Sequence, residues 1–442
     1  MPSPDARPLA PRPTPEGPAP KVLTLLTARS PTLVPFDASG PAAPLEVVRC
    51  RTAADLHAQL RWCGPYAAAL LDARHPDLDR DLLARLADRA TPALVVAEHP
   101  GSTDWVALGA RAVLAGGTGP ALLDVVRAWL DGASSPGPRT RGVARLAPGA
   151  ATTVAVLGAP GQGTSTVAAA LAAGLAAPPS GPGSWPVETA PAPVVLADLG
   201  RHAEQAALHR LPAGAPGLLD LVDAHRHARP SPADALAHCR ARHPHRHRVL
   251  PGLAHPGDWA CIGPESLDAA LSSLRAAAGW LVLDVDADLD DEATTGSHDI
   301  EDRNRLALAA VSTAELVLIV GRPSSLGQRR LAPILADLIR VGVPRSRLLL
   351  VGAAGRRTAT DLRSAPAPAP AHGLLDLPAL ALPWVDGLED GMLSGGGVPA
   401  ALSTPLAAFV RMTAAALGRR TRQVLAPPTV VAGTLGHWPV AP

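Results

Sequence analysis

"TTVAVLGAPGQGTSTVAAALAAGLA" occupies residues 152–176. Its first seven residues are mostly apolar and β-branched, which suits a buried strand. Val167, Leu171 and Leu175 then recur at helical spacing. Between the two halves stand Gly158, Gly161 and Gly163. A strand, a glycine-rich turn and a helix in this order let backbone N–H groups turn inward around anionic oxygens, and the helix adds its positive end. Against the phosphate-loop spacing, Gly158 and Gly163 match, and Ser165 has the place of the hydroxyl that binds Mg²⁺. Thr164 stands where the phosphate-binding lysine belongs, with Thr166 beyond.

The chain around this stretch is long enough for two or three domains at 442 residues. Apolar residues make up 47% and aromatics 2%, so its cores must be built from Ala, Leu and Val. A net charge of +1 carries no general pull toward nucleic acid or anionic membrane. Lys21 is the sole lysine among 40 basic residues. Cys50, Cys63, Cys239 and Cys261 form no CxxC pair, against a zinc ribbon or thioredoxin-like site. The N-terminus has no apolar signal core, and no run of about 18 apolar residues predicts a membrane span. The expectation is a reduced, cytoplasmic protein.

Composition divides the chain. Residues 1–20 are Pro-rich and expected to be disordered. From residue 21 to 130, strand and helix candidates alternate: "KVLTLLTA", "AADLHAQLRW", "YAAALLDA", "DLDRDLLARLADR", "ALVVAEH", "DWVALGA", "RAVLAG" and "GPALLDVVRAWL". Alternation predicts a parallel sheet wrapped by helices. Residues 131–150 read as a linker, 151–422 as a second α/β domain and 423–442 as a tail. The second domain continues with strands "VVLADLG" (ending at Asp198), "RVLPGL", "WLVLD" (ending at Asp284), "ELVLIVGRP" and "RLLLVGAAG". Helices intervene, among them "HAEQAALHRL", "GLLDLVDAH", "SPADALAHCRAR" (Ser231 as N-cap, Pro232 at N1), "PESLDAALSSLRAAAG", "EDRNRLALAAVSTA" and "LGQRRLAPILADLIRVG". The pattern predicts a doubly wound sheet with ligands at the strand C-termini.

Residues 21–130 resemble a response-regulator receiver, with Asp72 at the phospho-acceptor position. The resemblance implies an acidic pair after the first strand and a lysine after the last. Here stand Thr27, Ala28 and Arg29, and "AGGTGP" has no lysine. Without metal site and cation, phosphoryl transfer to Asp72 lacks charge stabilisation. The segment reads as a pseudo-receiver of flavodoxin-like fold, made for contacts.

From residue 151 on, the order of elements resembles the MinD/ParA/CpaE group of SIMIBI-class P-loop proteins, specifically an actinobacterial branch with a pseudo-receiver ahead of the MinD-like domain. "GAPGQGTSTVAAALAAGLA", "VLADLGRHAEQAALHRL", "DLVDAHRHARPS", "DVDADLDDEATTGSHDIEDRNRLALAA" and "LPWVDGLEDG" carry it, in order along the chain. The resemblance implies ATP or ADP with Mg²⁺, dimerisation over nucleotide, and protein partners of a secretion, pilus or partition apparatus. The family's two loop lysines fall at Ala159 and Thr164, so its Walker A motif is degenerate. Its acidic pair after the second strand reads Asp198-Leu199-Gly200, keeping one acid. Its Walker B-like aspartate is Asp284, a metal-site residue together with Ser165. Its adenine-reading asparagine is replaced where Gly352 and Ala353 stand, and its base-cupping loop persists as Pro383 and Asp386.

Three functions stay open: weak nucleotide binding with little hydrolysis, a slow ATPase using Arg201, Arg322 or Arg329 in place of lysine, and a nucleotide-free scaffold. A dinucleotide site built from Gly158, Gly161, Gly163 and Asp198 fails on glycine order and spacing. "DVDADLDDE" fails as an EF-hand, lacking Gly at the sixth and Glu at the twelfth position, and reads as solvated acids at a strand end. His243, His245 and His247 alternate and would share one face of an extended segment, read as a surface edge rather than a metal site. "PLAAFVRMTAAALGRRTR" (405–422) is amphipathic. Packing on the sheet is favoured over the peripheral membrane contact that MinD proteins make with such a helix.

Overall fold

The computed structural model describes residues 19–27, 45–97, 103–115, 119–132, 151–177, 192–241, 246–322, 324–353 and 377–425. Most of the Pro-rich start, the linker and the tail lie outside these residues, as do Ala28, Arg29, "GGT" at 116–118, His243 and His245. The chain forms two units, residues 1–145 with 226–229, and 146–225 with 230–442.

The first unit carries β1 (Lys21–Leu25), β2 (Glu46–Cys50), α1 (Ala53–Trp62), β3 (Ala68–Asp72), α2 (Arg80–Asp88), β4 (Ala93–Ala97), α3 (Trp105–Leu108), β5 (Ala112–Ala115) and α4 (Gly119–Gly132). Its strands pair in parallel in the order β2-β1-β3-β4-β5, the flavodoxin-like order. Alternate residues go to opposite faces: Leu23, Leu25, Leu71 and Val95 fill one core, and Val22, Leu70, Leu94 and Val96 the other. That is why the strands read as continuous apolar runs. Sequence patterning missed β2, a sheet-edge strand whose Glu46 and Arg49 are exposed.

The second unit carries β6 (Thr152–Gly158), α5 (Thr164–Ala176), β7 (Val194–Asp198), α6 (Gln205–Leu208), α7 (Leu218–His227), α8 (Pro232–Ala237), β8 (Arg240–Ala241), β9 (Arg248–Leu250) and α9 (Pro264–Ala277). There follow β10 (Trp280–Asp284), α10 (Glu292–Thr295), α11 (His298–Thr313), β11 (Leu316–Val320), α12 (Ser325–Arg340), β12 (Leu348–Ala353), β13 (Ala379–Leu382), α13 (Leu388–Leu393) and α14 (Ala400–Leu425). The sheet order is β13-β12-β11-β6-β10-β7-β9-β8, parallel except for the short edge strand β8. Val154, Val156, Val282 and Val320 pack under α5 and α14, while Ala155, Leu157, Leu283 and Ile319 face the opposite helical layer. The chain reverses direction across the sheet around β6, so the C-terminal ends of β6, β10 and β7 meet at the switch point.

Several expected elements differ. "HAEQAALHRL" forms only the single turn α6, because Arg210 takes φ 50 and Pro212 follows. β13 and β8 are short edge strands without a strong strand signal. Asp286 and Asp288 are not simply solvated but ion-paired, and His247 is buried rather than on a surface edge.

The expectation that no segment is apolar enough to span a membrane is corrected by α14. Ala400–Gly418 has the length and hydropathy to cross one. In this fold, however, Leu402, Leu406, Ala407 and Val410 are buried in the core beneath α5. Arg411 donates from Nη2 to the Leu175 carbonyl (2.8 Å), one of the otherwise unpaired acceptors ending α5. Arg411→Ala is expected to cost about 1 kcal/mol, readable as a lower thermal midpoint.

Candidate nucleotide site

β6 delivers the chain to Gly158 beneath the sheet's end. A Cβ there would lie 2.6 Å from the Val320 carbonyl oxygen of β11, so only glycine fits. Gly161 and Gly163 take φ 75 and φ 87, left-handed conformations that side chains resist, and a Cβ on either would meet nothing within 4 Å. The open concave side of the loop is therefore set by backbone. Gln162 fastens it: its Oε1 accepts the Arg322 N–H at 2.9 Å. Gly163 caps α5, whose first residues are Thr164, Ser165 and Thr166. Thr164 is turned toward Gly158 and supplies no cation.

Opposite the helix start, Asp284 ends β10 and Asp198 ends β7, directly across from each other in register. Both are buried, at 5% and 1% exposure. Burial pushes the Asp284 carboxyl up to about 6, opposed by hydrogen bonds from Gln205 and Ser165 and assisted by the nearby Glu204 and Asp286 charges. Asp198 is pushed well above the ordinary carboxylate range by burial and then by Asp284, although the N–H groups of Gln205 (2.8 Å) and Gly200 (3.1 Å) hold it. Two facing carboxyls with a serine hydroxyl and no lysine form a donor set suited to a hard divalent cation and its water shell. On this count Ser165 and Asp284 fit Mg²⁺.

The arginines expected as lysine substitutes part company. Arg201 is committed elsewhere: Nε donates to Asp286 (3.0 Å), and Nη2 reaches Asp288 (3.5 Å). Arg303 and Asn304 also hold Asp288. Arg329 is exposed on α12. Arg322 alone of the three lines the cavity beside the loop, and its guanidinium lies 5.5 Å from the Trp384 ring centroid. This cavity of about 330 Å³ is bounded by Gln162, Gly163, Thr166, Arg322, Pro383 and Trp384. Pro383 thus lines the same cavity as the loop. Asp386 does not line the cavity; its carboxylate accepts the Trp384 indole N–H at 2.7 Å. Gly352 sits at the end of β12, paired with Ala381 of β13. A larger cavity of about 910 Å³ lies between α9, α11 and α12, is lined by ion pairs such as Arg340 with Asp291, and includes no residue of the loop.

The fold thus gathers Gly158, Gly161, Gly163, Thr164, Ser165, Asp198 and Asp284 at the switch point, with Thr166 and Pro383 on the adjoining cavity. Sequence reasoning missed Gln162, Gln205 and Trp384. None stands at a position the motif spacing specifies, and each makes a contact distant in the chain.

No protein-family model and no curated protein matches the chain. Among solved structures, it is similar to a ParA family ATPase from Chlorobium tepidum TLS, at 16% identity, covering 59% of this chain and 99% of that one, with a TM-score of 0.45. It is also similar to the septum site-determining protein MinD complexed with Mg-ADP from Pyrococcus horikoshii OT3, at 17% identity over 62% and 98% of the two chains, TM-score 0.39. A third is the McdA(D38A)–ATP complex from Cyanothece, at 19% identity over 62% and 98%, TM-score 0.39. Identity is below 20% in all three, and the geometry above is this chain's own.

Proposed function

We propose that the protein is a nucleotide-responsive regulator or spatial organiser whose second unit holds ATP or ADP with Mg²⁺ weakly and turns it over slowly or not at all. The observation that carries this is the meeting of a glycine-shaped anion loop, Ser165 and buried Asp284 at the switch point of a parallel sheet. The loop's N–H groups and the positive end of α5 bind phosphate oxygens. Ser165 and Asp284 hold the cation, which neutralises phosphate charge when bound. The adjoining cavity receives the nucleoside between Thr166, Pro383 and Trp384.

Losing one charge-assisted lysine contact weakens binding by about 1.5–3 kcal/mol, roughly ten- to a hundredfold. Hydrolysis suffers more, because Ala159, Thr164 and Gly200 remove cations and an acid together. The protein then acts by conformation, through a homodimer and partners of a secretion, pilus or partition apparatus in the cytoplasm. The first unit serves as a pseudo-receiver. Its Asp72 is pushed up by burial but held below the ordinary range by hydrogen bonds from Thr27 (2.6 Å) and Arg74, whose side chain also pairs with it at 3.5 Å. Asp72 is thereby engaged as a structural acceptor.

The slow-ATPase reading is favoured by one observation, the position of Arg322 on the cavity beside Gly163. Thermal shift tests the proposal. Millimolar MgADP is expected to raise the unfolding midpoint of the wild type and to leave Gly163→Asp unmoved, since that variant puts a carboxylate into the anion loop. Adenosine giving the same rise as MgADP would contradict phosphate recognition by the loop.

A further inference from the structure

Gln205 begins α6 and is wholly buried. Its side-chain amide donates twice, to the Ser165 carbonyl at 2.9 Å and to Asp284 Oδ2 at 2.7 Å. Both partners are acceptors, so the amide nitrogen must face them. Its backbone N–H goes to Asp198 Oδ2 at 2.8 Å. Its Oε1 is buried and meets no hydrogen-bond donor among the described residues. One residue therefore ties together the start of α5, the end of β10 and the end of β7.

The contacts also lead outward. α6 is a single turn, and beyond it Arg210 donates from Nη1 to the Ser394 carbonyl at 3.3 Å. Ser394 ends α13, whose Leu388, Glu389 and Asp390 line the cavity beside the loop. A hydrogen bond therefore links the segment after α6 to the end of α13, whose first turn lines the cavity beside the loop.

We propose that Gln205 is a latch on the metal site: its amide hydrogens supply the positive charge that Asp284 and the Ser165 carbonyl face in the closed state, and a metal–nucleotide complex must displace it, releasing α6. This deepens the nucleotide reading and rests on it. It assigns a conformational readout to the site without requiring hydrolysis, since displacement follows from competition for Asp284 Oδ2. Because Gln205 opposes the ligand, removing it strengthens binding.

Gln205→Leu keeps apolar bulk, removes both amide bonds and retains the backbone N–H to Asp198. Calorimetric titration with MgADP is expected to show about tenfold tighter binding than wild type, with little change for ADP in EDTA. Equal or weaker MgADP binding by the variant, with the wild type still binding, overturns the latch and leaves the nucleotide reading standing. Binding by neither protein overturns both. Hydrogen exchange on the unsubstituted chain provides a test that does not depend on the variant folding. Amides of 205–211 are expected to lose protection about tenfold when MgADP is added. Unchanged or increased protection there overturns the latch.

Discussion

Gly174→Ala is expected to destabilise the second unit by about 3 kcal/mol or more. A Cβ at this position would lie 2.1 Å from the Ser403 carbonyl oxygen, 2.8 Å from its carbonyl carbon and 2.9 Å from Ala407 Cβ. Two of these atoms are backbone, so no rotamer change relieves the clash. Either α5 leaves the sheet or α14 leaves α5. The second is cheaper, and it withdraws Leu402, Leu406 and Val410 from a core in which they are at most 5% exposed. In a unit of this size the thermal midpoint should fall by roughly 6 °C or more. A variant as stable as wild type would contradict the close packing of α14 on α5. A shift confined to Arg411→Ala would mean that one hydrogen bond, rather than helix contact, holds the pair.

Asp284→Asn is expected to stabilise the metal-free protein at pH 7.5. The Asp284 carboxyl stands near 6 in the folded protein against an ordinary 3.8. A carboxyl raised on folding favours the folded state only while protonated. That contribution is complete below about 4, declines as pH rises through 6, and leaves the buried charge as a net cost above it. The neutral amide removes this cost, worth about 3 kcal/mol for a rise of about two pK steps. Asn can accept from Gln205 Nε2 and donate to the Ser165 hydroxyl, so the local hydrogen bonds survive. Unfolding midpoints in EDTA should favour the variant at pH 7.5, and the advantage should vanish by about pH 4. A variant less stable at pH 7.5 would mean that the carboxylate is compensated by groups beyond Gln205 and Ser165. The expected gain has a functional meaning. A residue whose neutralisation stabilises the fold is placed for a cation, at the expense of stability.

The legible part of this protein was the part that repeats or spaces itself. Buried strands such as β6, β10 and β11 are continuous apolar runs because both faces of a parallel sheet are covered, and their alternation with helices announces the layers. Gly158 and Gly163 could be read because each answers a local demand, close approach at one and left-handed backbone at the other. Edge strands β2 and β13 were not readable, since half their surface has no apolar requirement. The end of α6 at Leu208, followed by Arg210 at φ 50, has no breaker before Pro212 to announce it. Gln205 was invisible for a different reason. It sits in an Ala-rich run and touches Ser165 and Asp284 across 40 and 79 residues of chain. The fate of Arg201 likewise depends on Asp286 and Asp288, which sequence placed only as acids at a strand end.

The most direct test of the central claim is calorimetric titration of the purified full chain with ATP, with and without Mg²⁺, beside Gly163→Asp. Saturable, Mg²⁺-strengthened binding of the wild type, lost in the variant, is the predicted result: the loop still cradles phosphate without its lysine. No heat of binding up to millimolar MgATP would contradict the account, and the glycine turn at 158–163 would then serve only to join β6 to α5.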